Sequence, residues 1–196
     1  MRLALVCVFL VLVAACGGGD DLTPGNKTPT PFVPTPDPAF SSLLSRSLNL
    51  PSISSGTCPV TPSELLSPTL PMTLGNGPVY AEGLGSDSTM HISDLVAGSD
   101  WPGSTISFAA QPGFTGLAVV RGKRLDASGA MGFDDTQNLS TLPSREDLEL
   151  AQASASDQWG YWSAYVRVQQ PGCYGFQVDT DSGSEEIVFN VVVGRQ

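Results

Sequence analysis

"GYWSAYVRVQQPGCYGFQVDTDSGSEEIVFNVVV", residues 160–193, decides the fold class. Over 160–168 apolar side chains recur at every second position (Trp162, Ala164, Val166, Val168). That is the period of a strand with one buried face. Pro171-Gly172 is a turn signal, and 173–178 alternates again with Tyr174, Phe176 and Val178 in phase. "DTDSGS" separates this run from 185–193, where Ile187, Phe189, Val191 and Val193 share a face. Read along the chain, these are three antiparallel strands joined by short turns into a meander.

Upstream, "PVYAEGL" (78–84), "STISFAA" (104–110) and "GLAVVRGKRLD" (116–126) add strands, with Val79, Ile106, Phe108, Leu117 and Val119 as inward residues. Charged residues are only 14% of the chain, while Gly (21) and Pro (16) are abundant, a mixture suited to many turns. The reading is an all-β fold, an immunoglobulin-like antiparallel β-sandwich, with a small β-barrel as the alternative. One interruption is helical in pattern. In "PSREDLELAQASA" Ser144 and Asp147 form a weaker version of the capping box, and acids fill the first turn. The spacing predicts a short helical insert over 145–153, crossing between the sheets.

Nineteen acids against nine bases give a net charge of −10, and residues 58–120 hold no Lys or Arg. Nucleic acid is excluded as a partner, because phosphate binding needs a basic stripe. The one basic cluster, Arg121, Lys123 and Arg124, reads as the solvated end of a strand.

The N-terminus has one cation, Arg2, and then an apolar run over residues 3–15. Thirteen residues reach roughly 20 Å as a helix, short of the ~30 Å hydrocarbon core, so a signal peptide fits better than a membrane span. Val13-Ala14-Ala15-Cys16 resembles the lipobox of bacterial lipoproteins. The resemblance implies cleavage before Cys16 and acylation of its sulfur, anchoring the chain to a cell membrane or outer membrane on its extracytoplasmic side. Residues 1–15 are then the signal peptide, and 16–40 a Pro/Gly/Thr-rich tether favouring polyproline II. Residues 41–57 form a lead-in of low order, and 58–196 the sandwich domain.

Cys7 leaves with the signal peptide and Cys16 takes the lipid, so Cys58 and Cys173 remain. In an oxidising compartment an even pair defaults to a disulfide; two separate buried thiols are the alternative. Zinc is excluded for want of ligands, since His91 is the only histidine. Cys173 is out of phase with Tyr174, Phe176 and Val178, so it points away from the core. A bond from it would tie the N-terminal segment to the outside of the sandwich rather than bridge the two sheets.

"CPVT" at Cys58, "GNGPVYAEGL" at Gly75, "GLAVVRGKRLDA" at Gly116 and "GYWSAYVRVQQPGCYGFQV" at Gly160 occur in this order. The set is similar to a group of uncharacterised exported proteins and lipoproteins of bacteria, although Tyr174 stands where a tryptophan is expected. The resemblance spans most of 58–193 and implies export and a Cys58–Cys173 pair. It implies no activity.

Ser86, Asp87, Ser88, His91 and Asp94 contain the parts of a hydrolase triad, but they crowd into nine residues and no Gly-x-Ser-x-Gly elbow is present. They read as a serine-rich loop. The carboxylate pairs Asp134-Asp135 and Glu185-Glu186 suit glycoside hydrolysis only at a suitable separation. Asp179, Asp181 and Glu185 are weak candidates for a calcium loop, without the EF-hand spacing; a hairpin turn with a solvated acidic rim explains the same residues and is the preferred reading. Trp159, Tyr161 and Tyr165 alternate opposite Trp162 and Ala164, as a surface for a ligand or partner. The competing expectation is that the N-terminal segment covers these rings. No cofactor is expected and no catalytic role. The expected function is a non-catalytic binding or structural module of the cell envelope, partnered by the membrane through Cys16 and by cell-wall polysaccharide or an envelope protein. A surface-anchored hydrolase or carbohydrate-binding protein is the alternative.

Overall fold

The computed structural model describes residues 37–54, 56–151 and 157–194, all within one compact unit. A 3-10 turn, Pro38–Phe40, leads into the single-turn helix α1 (Ser41–Leu44). The strands that follow are β1 (Ser63–Glu64), β2 (Thr73–Leu74), β3 (Val79–Glu82), β4 (Thr89–Ile92) and β5 (Gly103–Ala110). Then come β6 (Leu117–Arg124), β7 (Met131–Asp134), β8 (Asp147–Ala151), β9 (Gly160–Val168), β10 (Gly172–Thr180) and β11 (Gly183–Val193). No helix among the described residues is long and apolar enough to cross a membrane.

The strands form two sheets, ordered β1-β2-β3-β5-β9-β7 and β4-β11-β10-β6-β8. Strands β3, β5, β9 and β7 take the positions of A, B, E and D in an immunoglobulin domain, and β6, β10 and β11 those of C, F and G. The pairing is antiparallel except for β4, which runs parallel to β11 over Thr89–Ile92. The inner faces meet over one core. Ile106, Phe108, Ala164 and Val166 from the first sheet lie against Tyr174, Phe176, Val178, Ile187 and Phe189 from the second. Phe176 is its hub, with ring centroids 5.5 Å from Phe108, 4.6 Å from Phe189 and 6.4 Å from Phe133.

The all-β sandwich stands, with four corrections of detail. The 160–193 stretch is not a meander: β10 and β11 form a hairpin through the two-residue loop Asp181-Ser182, but β9 belongs to the facing sheet. Both strands show the same alternation because both face one core, and the three-residue corner 169–171 carries the chain across it. Residues 147–151 form no helix. Leu148 and Leu150 share one face as readily at a strand's period, and pairing of β8 with Leu117–Arg121 of β6 outweighs the local capping signal. The helical residues lie instead at 38–44, ahead of the sandwich.

Leu117 and Val119 point outward, not inward. Ala118 and Val120 enter the core, while Val119 is buried under Phe40 and Leu43, with Leu44 and Leu117 alongside. Strand β6 is apolar in both phases because it is covered on both faces. The cover is the lead-in over 41–57, expected to have low order, which crosses the outer face of the second sheet as a strap. Its backbone is held by Asn49 N donating to Gln177 Oε1 (2.7 Å), Gln177 Nε2 donating to Ser47 O (2.9 Å) and Ile53 N donating to Leu125 O (2.7 Å). Leu50 is buried there with Leu125, Cys173 and Val188. The Cys58–Cys173 disulfide, Cα atoms 5.4 Å apart, closes this satellite cluster outside the core, as the strand phase of Cys173 requires.

Candidate functional site

Three segments converge at one end of the sandwich. Residues 75–78 precede β3, 111–116 join β5 to β6, and 180–185 hold the β10–β11 turn. Their positions correspond to the B–C and F–G loop end of an immunoglobulin domain. Between them lies a cleft of about 490 Å³ walled by Asn76, Gln111, Phe114, Thr115, Asp181 and Ser182 among others. A second chamber of about 140 Å³ shares Gly77, Pro78 and Ser182 with it and reaches Thr180, Ser184 and Glu185. No Lys or Arg lines either chamber.

The walls are set by local backbone chemistry. Gln111 N donates to Pro78 O (2.9 Å), locking two of the loops together, and Phe114 N donates to Gln111 O (3.1 Å) to close the turn. Gly77 has φ +84°, and a Cβ there would collide with the Tyr80 hydroxyl, so this position needs glycine on both counts. Tyr80 in turn meets the edge of Trp159, centroids 5.8 Å apart. Opposite, Asn76 N donates to Glu185 Oε1, while Glu185 Oε2 is shielded from solvent and has no hydrogen-bond partner. Burial pushes the Glu185 carboxyl above the usual range, against the pull of hydrogen bonds from Asn76 and Gly77. Burial, and then the charges of Glu185 and Glu64, push the Tyr80 hydroxyl up as well.

The three calcium candidates do not gather. Asp179 and Glu185 lie one residue out of phase across the hairpin and so project from opposite faces of the sheet. Asp179 is fully buried beneath the strap, where Arg121 Nη2 (2.5 Å), Gln177 and Ser184 donate to it. Asp181 sits exposed at the hairpin tip and lines the cleft, while Glu185 lines the smaller chamber. Among the described residues no group of three or more His, Cys, Asp or Glu is placed to hold a metal. Arg121 and Arg124 are likewise not a solvated end: Arg121 also holds Arg46 O (2.8 Å) of the strap, and Arg124 pairs with Asp126 (2.6 Å).

The aromatic row divides. Tyr161 is 53% exposed and Trp159 half-buried, but Tyr165 is only 2% exposed, its hydroxyl donating to Ser93 O (3.2 Å). The loop after β4 covers Tyr165; the strap does not, since it lies on the other sheet. On the same outer face Glu82 is 5% exposed with Oε1 unpartnered, and burial pushes its carboxyl up.

His91 stands on strand β4 rather than in a loop, between the buried Met90 and Ile92. Ser88 is buried and donates to Thr61 O (2.6 Å), while Ser86, Asp87 and Asp94 are exposed. Among the described residues no hydrogen bond joins His91 to any of them. Asp134 and Asp135 do not act together: Asp134 is the counter-ion of the fully buried Arg167 (2.8 Å), and Asp135 faces solvent. Glu186 points outward beside the half-buried Glu185. Cys16 and residues 16–36 of the tether lie outside the described residues, whereas its expected last residues, 37–40, are ordered against the domain, with Phe40 buried beside Val119.

The cleft residues Asn76, Gln111 and Phe114 were missed in the sequence, although "GNGP" (75–78) and "QPGFTG" (111–116) mark two of its loops by Gly and Pro. No protein-family model, no curated protein and no solved structure matches this chain.

Proposed function

We propose that this chain is a lipid-anchored, extracytoplasmic, non-catalytic binding module of the cell envelope, with the loop-end cleft as its binding site. The observation that carries the binding role is the convergence of three loops of the sandwich on one concavity of about 490 Å³, within the usual range for ligand sites; volume alone does not mark it, since a groove of about 510 Å³ lies beside Asp94, Ser99 and Gln170. The separation of His91 from the nearby serines and acids favours binding over hydrolysis. Val13-Ala14-Ala15-Cys16 and the Pro-rich segment after it support the anchor, and the Cys58–Cys173 bond suits an oxidising compartment.

The anchor is tested by metabolic labelling with palmitate and by membrane fractionation. Wild type should take label and sediment with membranes. Cys16→Ser should lose the label and become soluble, and a Cys16→Ser protein that still fractionates with membrane overturns the assignment.

A further inference from the structure

We infer that the loop-end cleft binds a neutral sugar unit of a polysaccharide or oligosaccharide. The inference deepens the binding-module reading and rests on it.

The ligand's chemistry follows from what the walls offer. Both carboxylates near the cleft, Asp181 and Glu185, are acidic, and no base lines it, so phosphates, nucleotides and other anions are repelled. Glu185 lines only the second chamber, with Oε2 shielded from solvent, so it adds negative potential behind the cleft and no direct contact. An ammonium group or a metal ion would use only the acid of the cleft, Asp181. The remaining wall is of another kind: the amide of Gln111 and the hydroxyl of Thr115 both donate and accept, while Asn76 is turned to Glu185 and Ser182 Oγ shares a hydrogen bond with Thr180 Oγ1 (2.8 Å). A sugar hydroxyl also does both, and is the neutral group that satisfies such a wall together with a carboxylate. Phe114, half-buried at the cleft, adds an aromatic ring against which the C–H face of a pyranose packs.

The outer face of the first sheet is the rival location, because Tyr161 is exposed there. It is a pleated surface with one exposed ring, however, since Tyr165 beside it is buried and Trp159 half-buried.

The test uses the full-length lipidated protein in detergent micelles, titrated by calorimetry with neutral oligosaccharides: chitotetraose, cellotetraose and maltotetraose. At least one should bind. Asp181→Asn should weaken binding about tenfold, as for loss of one hydrogen bond to a charged acceptor. Phe114→Ala should weaken it by roughly three- to tenfold. Gln111 is exposed, so Gln111→Ala should keep the wild-type melting temperature and still weaken binding, separating contact from folding. Tyr161→Ala should bind as wild type. The inference is overturned if none of the three oligosaccharides binds, if Tyr161→Ala abolishes binding while Gln111→Ala does not, or if Ca²⁺ or a lysine-rich peptide binds in the sugars' place. Palmitate labelling of the same preparations separates the two readings, since the anchor stands or falls on Cys16 whichever ligand the cleft takes.

Discussion

Consider Asp134→Ala. Arg167 is fully buried, and its Nε donates to Trp101 O (2.9 Å), Nη1 to Asp134 Oδ2 (2.8 Å) and Ser140 O (2.6 Å), and Nη2 to Ser99 Oγ (2.6 Å) and Thr141 O (3.4 Å). All five guanidinium donors are thereby engaged. Only Asp134 among the five acceptors carries charge, so its loss leaves a buried cation surrounded by neutral oxygens. It also removes the acceptor of Ser144 N (2.7 Å), but Ser144 is exposed and water replaces that bond. Breaking one side of a buried pair costs about 3–5 kcal/mol. That is a large part of the 5–15 kcal/mol typical of a folded domain. For a domain of this size it lowers Tm by roughly 6–20 °C. The assay is urea unfolding with calorimetric melting of wild type, Asp134→Ala, and Arg167→Met/Asp134→Leu. The double variant removes both charges, and apolar replacement of a buried pair is often close to neutral, so it should recover at least half of the single variant's loss. A loss under about 1 kcal/mol in Asp134→Ala, the size of an ordinary substitution, refutes the argument. So does a double variant less stable than the single.

Three further outcomes follow from the same structure. Cys58→Ser/Cys173→Ser opens a 115-residue link and should cost about 5 kcal/mol on the chain-entropy model; hydrogen exchange should rise first over the strap, 41–57, and a uniform rise through β5 and β9 contradicts a bond that lies outside the core. Glu82 has a raised carboxyl pKa because it is buried, so its favourable contribution is full below the unfolded value near ~4.3 and is lost as pH rises through the folded one. Glu82→Gln should therefore stabilise the protein by about 1 kcal/mol at neutral pH and converge with wild type near pH ~4; a Tm difference independent of pH sinks this account. Gly77→Ala forces a left-handed φ on alanine and a collision with the Tyr80 ring, for at least about 2 kcal/mol together. Its near-UV dichroism should change as the Trp159–Tyr80 contact shifts, and an unaltered spectrum with unaltered Tm contradicts the packing.

How far the fold was legible depends on what alternation reports. It identifies which side chains are inward, and Trp162, Ala164, Val166, Val168, Tyr174, Phe176, Val178, Ile187 and Phe189 all pack in or against the core. It is silent on which sheet a strand joins, so β9 and β10 read as neighbours when they face each other across the interior. Alternation also loses its phase where a strand is covered on both sides. In "LAVV" of β6, Ala118 and Val120 meet the core while Val119 meets the strap, and nothing within four apolar residues distinguishes the two faces. Residues 147–151 show a related degeneracy, because Leu148 and Leu150 two apart beside acids satisfy an edge strand as well as a helix start. Long-range pairing settles such cases, and a local window does not contain it.

The strap and the cleft were hidden for different reasons. The strap is held by side chains whose local meaning is opposite to their use. Arg121 and Asp179 read as surface charges, yet their ion pair at 2.5 Å fills the space under the strap, and Arg121 reaches back to Arg46 O at 2.8 Å. A charge run and an acidic turn cannot announce that they are 58 residues apart and paired. The same pairing explains why Asp179 serves no metal: its oxygens are already occupied by Arg121, Gln177 and Ser184. The cleft has no periodic signature, since loops contribute single residues at irregular spacing. What the sequence does carry there is backbone punctuation, Gly75 and Gly77 before β3 and Gly113 and Gly116 before β6. Gly75, Gly77 and Gly113 adopt positive φ, which bends each loop so that an amide or ring points into a shared space. Glycine placement at strand ends is thus the part of the site a sequence displays, and Asn76, Gln111, Phe114 and Glu185 acquire a common meaning only once the sandwich brings those ends together.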